Sequence, residues 1–175
     1  EEVEELRNEL VSKESALKTL AARLGAADQA RRSMHNEIQS LRGNVRVMVR
    51  VRPYAPDEEE GKGSALRFSS ADNSRIAVFS SEDSEAPQIF SFDRVFGPTD
   101  GQSVIFSEVE CFVQSALDGY NICLLSYGQT GAGKTYTMMG GRAGASRGII
   151  PRAVEQVLSW VTKQPRPSDG EGAEF

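Results

Sequence analysis

Histidine is nearly missing from this chain: His35 is the only one among 175 residues. That excludes a histidine-rich metal site and argues against a catalytic imidazole. Cysteine is scarce as well, with only Cys111 and Cys123. The first falls on a predicted helix and the second on a predicted buried strand, so both read as reduced core thiols of a cytosolic protein, not as a disulfide or metal pair. No apolar run approaches the roughly 20 residues that span a bilayer. The first residues are acidic and helical in pattern, unlike a signal or transit peptide. A basic excess is lacking too, since the net charge is −5. The composition therefore points to a soluble protein and to neither nucleic acid nor membrane as a partner.

What the chain does have is Gly128-Gln129-Thr130-Gly131-Ala132-Gly133-Lys134-Thr135, which fits G-x-x-x-x-G-K-[ST]. Chance would bring the four fixed positions together in a chain this long with odds on the order of one per cent. The apolar run Ile122-Cys123-Leu124-Leu125 before it predicts a buried strand. Lys134 to Met139, free of Gly and Pro, can open a helix. Strand, glycine-rich loop and helix form a phosphate-binding loop. Triphosphate oxygens are held by converging backbone N–H groups, which require a bend that side chains obstruct. Gly128, Gly131 and Gly133 permit it. Lys134 is placed to bring an ammonium to the β- and γ-phosphates, and the Thr135 hydroxyl to ligate Mg²⁺.

Glu1 to Arg42 repeats in sevens. With Val3 at position a, the a series is Val3, Leu10, Leu17, Leu24, Arg31 and Ile38. The d series is Leu6, Lys13, Leu20, Ala27, Met34 and Leu41. Only Lys13 and Arg31 interrupt the apolar seam, which predicts a coiled coil. The alternative is a single amphipathic helix packed on its own domain. In a parallel dimer Arg23 would face Asp28 and Glu37 would face Arg42, both attractive, whereas Glu9 would face Glu14. Gly25, followed by Ala27 and Arg31, predicts a weak point from Gly25 to Arg31. His35 falls at an e position, solvated by default.

Gly43 and Asn44 end the heptads. Val45 to Val51 alternates, predicting a strand with Val45, Val47, Val49 and Val51 on one face. Asp57 to Gly63 reads as a charged loop. Leu66–Phe68 and Arg75–Phe79 read as a hairpin turning at Ala71-Asp72-Asn73-Ser74. Ser80 to Pro87 reads as loop and Ile89 to Val95 as one strand. A helix is predicted from Gln102 to Leu117, packing Ile105, Val109, Phe112, Val113 and Ala116, with Gly119 as its stop. Gly140 to Gly148 reads as flexible, Pro151 opens a helix to about Val161, and 162–175 reads as exposed loop.

Arg50-Val51-Arg52-Pro53, Phe92-Asp93-Arg94-Val95-Phe96, Asp118-Gly119-Tyr120-Asn121, Tyr127 to Met138 and Gly148-Ile149-Ile150-Pro151-Arg152 follow one another in a fixed order. From about Leu41 to Leu158 the chain resembles the N-terminal part of a kinesin motor domain. A heptad segment running into Leu41-Arg42-Gly43-Asn44-Val45-Arg46-Val47 resembles the neck of the C-terminal-motor kinesins, most of which move toward microtubule minus ends. The fold this implies is α/β, the N-terminal half of a P-loop NTPase-type motor domain (43–175) preceded by a parallel α-helical coiled coil (1–42). ATP with Mg would be the cofactor, microtubules and a second copy of the chain the partners, and the cytoplasmic cytoskeleton the location.

Carried over position by position, Arg50, Arg52 and Pro53 match the motif lining the family's adenine site, and Tyr136 matches a ring packed near the adenine. For Arg50 and Arg52 the residues alone read as a solvated strand face. Gly128, Gln129, Thr130, Gly131, Ala132, Gly133, Lys134 and Thr135 match the phosphate and Mg²⁺ site, with Lys134 and Thr135 in the catalytic roles. Phe92, Val95 and Phe96 read as core. The family's switch segments, N-x-x-S-S-R-S-H and D-x-x-G-S-E, have no match here. The expectation is therefore a partial motor with unpaired strand edges, in which Gly172 to Phe175 begins a further strand. Two other readings stand beside it: a non-hydrolysing coiled-coil binding or assembly protein with a vestigial P-loop, and an unrelated P-loop enzyme.

Overall fold

The computed structural model describes residues 1–54, 66–68, 72–79, 86–142 and 144–163. These fall into two units, one running Glu1–Asn44 and the other beginning at Val45. The predicted loops at Asp57 to Gly63 and 164–175, most of Ser80 to Pro87, Ala71, and the proposed strand start at Gly172 lie outside the described residues.

The first unit is α1, Glu2–Leu41, a 40-residue helix with no buried residue. At 1.5 Å per residue it extends about 60 Å. Three acidic residues, Glu2, Glu4 and Glu5, sit in its first turn, where the helix dipole favours them. Gly25 does not break it, and Gly43, at φ 98°, follows its end. Both cations on the predicted seam carry a carboxylate from a flanking position: Lys13 pairs with Glu9 at 2.6 Å and Arg31 with Asp28 at 3.1 Å. Arg32 also reaches Asp28, at 2.8 Å.

These hydrogen bonds, foremost that from Arg31, hold the Asp28 carboxyl below its ordinary value of 3.8 against an opposing desolvation. A group depressed on folding contributes stability that is complete above its unfolded value and is lost as the pH falls through the folded one. Asp28→Asn is therefore expected to lower the thermal midpoint of α1 at pH 7, by circular dichroism. The difference from the native chain closes as the pH drops below 3.8. A gap of constant size across that range would remove the carboxylate from the explanation.

In the second unit, β1 (Met48–Arg50) is joined later in the chain by a parallel partner, β5 (Arg94–Phe96), in the register Met48↔Arg94 to Arg50↔Phe96. In sequence between them come β2 (Leu66–Phe68), β3 (Arg75–Val78) and β4 (Gln88–Ser91), which form a separate antiparallel sheet in the order β2-β3-β4. Asp72 Oδ1 accepts the Ser74 N–H at 2.9 Å and shapes the turn into β3. The single strand predicted from Ile89 to Val95 is two strands belonging to different sheets. The switch occurs at Phe92-Asp93: Phe92 N–H donates to the Ser74 carbonyl and Asp93 N–H to that of Val47. The Asp93 carboxylate accepts the Val47 N–H at 2.7 Å in return.

Helix α2, Gln102–Leu117, has the bounds its periodicity predicts, and Gly119, at φ 99°, follows it. A short helix α3, Lys134–Met138, then a 3-10 turn at Gly144–Ser146, and α4, Ile149–Lys163, complete the unit. Pro151 is the third residue of α4, and the helix outruns its predicted end. Phe96, Ile105, Val109 and Ile149 form the core, with Met48, Phe112 and Met138 half-buried against it. Val113 is buried as expected, but Ala116 is exposed and Ser115 takes a buried place instead.

Three expectations fail for physical reasons. The strand at Val45 shrinks to three residues, with Met48 packed on the Phe96 cluster and Val49 half-buried beside the buried Val95. Val45 and Val47 are exposed, because they lie ahead of the register with β5. Ile122–Leu125 is not a strand, and Leu125 is 87% exposed and Cys123 exposed. No strand among the described residues pairs with it, and an apolar run without a ladder partner cannot satisfy its backbone as a strand. Gly140 to Gly148 is a closed loop: Gly141 N–H donates to Ser146 O, Gly148 N–H to Met139 O, and Arg152 to the carbonyls of Arg147 and Ala145. A Cβ on Gly140 would stand 2.2 Å from Gly148 N, so its glycines serve close approach and not freedom.

Candidate functional site

The loop from Gly128 to Gly133 turns through glycines at φ 154°, 82° and 89°, the last two in the left-handed region. Gly133 is the residue preceding α3. The Ala132 N–H donates to Gln129 O at 3.2 Å, tightening the bend. A Cβ on Gly131 or Gly133 would meet no atom within 4 Å, so the space beside these residues is open and a side chain there would occupy it. Gly128 differs, since its Cβ would stand 3.2 Å from that of Ala132. Because α3 is only five residues long, the loop's own N–H groups matter more here than a helix dipole does.

Lys134 turns its ammonium back over this bend. Nζ donates to Gly128 O and to Gln129 O, both at 2.8 Å. A cation is thereby held against the glycine-rich bend, beside the open space at Gly131 and Gly133, an arrangement suited to an anion with several oxygens. Thr135 beside it is exposed, as are Gln129 and Thr130. Glycine backbone, open space, cation and free hydroxyl fit a Mg-nucleotide's phosphates.

The predicted base-side residues are only partly brought together. Arg50 and Tyr136 meet: the guanidinium carbon lies 5.2 Å from the ring centroid. Arg50 Nη1 also donates to Gln102 Oε1 at 3.1 Å and Thr137 Oγ1 at 2.9 Å, so it is half-buried and not on a solvated strand face. Burial lowers its pKa from the ordinary arginine value. Arg52 and Pro53 are exposed past the end of β1, with Arg52 Nη1 donating to Pro53 O at 3.1 Å. Gln102 and Thr137 were not foreseen. The one available signal for Gln102 is its spacing: it lies on the apolar face of α2, three residues before Ile105.

The described residues thus define a small α/β unit carrying a loop of the phosphate-binding type. A family model for microtubule binding matches residues 24–169. Kinesin-related protein 2 of Dictyostelium discoideum is 37% identical over 167 residues, 91% of this chain and 21% of that protein. Carboxy-terminal kinesin 2 of Xenopus laevis is 40% identical over 166 residues, 87% of this chain and 26% of that protein. A solved structure of the C-terminal motor and motor homology domain of Kar3Vik1, fused to a synthetic heterodimeric coiled coil, superposes with a TM-score of 0.78 at 34% identity. It covers 93% of this chain and 43% of its own. The chain belongs to the kinesin motor family, and C-terminal kinesins are among its relatives. It spans between about a fifth and a quarter of the length of these curated relatives.

Proposed function

We propose that this chain is the neck and the N-terminal part of the motor domain of a microtubule motor driven by ATP, dimeric through a parallel coiled coil of α1 and acting in the cytoplasmic cytoskeleton. The observation that carries the nucleotide reading is the 128–134 loop, open beside Gly131 and Gly133 and spanned by the Lys134 ammonium. In this reading Gly128, Gln129, Thr130, Gly131, Ala132 and Gly133 offer N–H groups to the phosphates. Lys134 exchanges its two carbonyl partners for phosphate oxygens, and the exposed Thr135 hydroxyl ligates Mg²⁺. Arg50 and Tyr136 flank the base, with Arg52 and Pro53 at the outer edge. Bound Mg-ATP supplies the transferable phosphoryl group.

Minus-end direction is supported by element order, the heptad helix preceding the motor unit as in the C-terminal-motor kinesins. The test is calorimetric titration of the 175-residue chain with ATP in the presence of Mg²⁺ and of EDTA. Saturable one-to-one binding is expected. It should weaken by roughly tenfold without Mg²⁺, and Thr135→Ala should lose most of that difference. A chain with no affinity for Mg-ATP would overturn the nucleotide reading.

A further inference from the structure

Gln102 is the least exposed polar side chain among the described residues, at 3%. It opens α2 on the face that continues through Ile105, Val109 and Val113, all buried. An apolar side chain would pack there without an amide's desolvation penalty, so the amide must be explained by what it holds. Three segments meet on it. Oε1 accepts from Arg50 Nη1 of β1 at 3.1 Å. Nε2 donates to Tyr136 O of α3 at 2.6 Å and to Ser146 O of the 3-10 turn at 3.4 Å. Both members of the Arg50–Tyr136 pair are therefore fixed by one side chain, from opposite ends of one amide.

We propose that Gln102 is the positioning residue of the base side of the nucleotide site, an inference that rests on the nucleotide reading above. It acts through Arg50 and Tyr136, holding guanidinium and ring at the 5.2 Å separation seen here before a base arrives. Preorganisation of this kind raises affinity by removing the ordering that binding would otherwise require. The phosphate loop also has bonds of its own in which Gln102 takes no part. Thr137 ties itself to Gly133 O through both its N–H, at 2.9 Å, and its hydroxyl, at 3.0 Å. Lys134 makes its own bonds to the loop. Base and phosphate affinities should accordingly separate.

The experiment measures Mg-ATP and Mg-tripolyphosphate, which lacks a base, against the native chain, Gln102→Leu, Arg50→Leu and the double variant. Gln102→Leu is expected to weaken Mg-ATP about tenfold while tripolyphosphate stays within about twofold. The double variant should bind ATP no more weakly than Arg50→Leu alone, because one residue acts through the other. Equal losses for both ligands would assign Gln102 general support of the fold and overturn the proposal. Unchanged ATP binding, or losses that add in the double variant, would overturn it also. A native chain that binds neither ligand would bring down the nucleotide reading and this inference together, whereas native binding with an indifferent Gln102→Leu would remove only the inference.

Discussion

Lys134→Ala is expected to bind Mg-ATP at least about 30-fold more weakly than the native chain, with little change in thermal midpoint. Removing one partner of a hydrogen-bonded charge pair at a binding site weakens binding by about 2–5 kcal/mol, and each 1.4 kcal/mol is about tenfold. The loss in stability is small for a different reason. In the free chain the ammonium bonds Gly128 O and Gln129 O. Gln129 is exposed and Gly128 half-exposed, so water replaces the missing donor at those carbonyls. Lys134→Arg should not restore full affinity, since a planar guanidinium cannot occupy the place of a compact ammonium between two carbonyls in so tight a bend. Calorimetry gives the affinity and circular dichroism the midpoint. Native affinity in Lys134→Ala would exclude the lysine from the site. Lost affinity with a large drop in midpoint would mean that the loop had collapsed instead.

The parts of this unit readable in advance are those set by neighbours close in sequence. Helix α2 is legible to the residue because an apolar repeat at Ile105, Val109, Phe112 and Val113 sits between Gly101 and Gly119. The glycine-rich bend at 128–133 is legible because its glycines answer a local backbone demand. What failed depends on partners far along the chain. Alternation at Val45 to Val51 defines two faces, but where the strand begins was decided by its pairing with β5. Ile122–Leu125 has the apolarity of a strand and lacks a ladder partner among the described residues. Gln102 shows in the sequence only as a polar residue on the apolar face of α2, because its three bonds reach across 34, 44 and 52 positions. The glycines at 140 and 148 misled in the opposite sense, resembling a flexible linker where two backbones are pressed together.

Paired substitution of Leu17 and Leu24 by Asp is expected to convert the chain from dimer to monomer and to melt much of α1. Every apolar a and d residue larger than alanine, including Leu10, Leu20, Met34 and Ile38, is more than half exposed on the single helix; Leu24 reaches 71%. A helix with no buried face lacks the tertiary packing that holds most helices in proteins. In the proposed dimer a second copy would supply it through the seam. Burying one leucine contributes about 1.5–3 kcal/mol, so four leucines across a dimer contribute roughly 6–12 kcal/mol. That is comparable to the cost of association, which runs from about 4 to 15 kcal/mol. Loss of that contribution, with four carboxylates placed in the seam, leaves no association at micromolar concentration. The seam's two cations do not bar self-pairing, since Glu9 and Asp28 neutralise Lys13 and Arg31 within each helix. Asp at Ala22 and Gln29, on the f positions facing away, should leave the dimer intact. Sedimentation equilibrium and far-ultraviolet circular dichroism separate the cases: a native chain that is monomeric and still helical would place the apolar stripe against something other than its own copy.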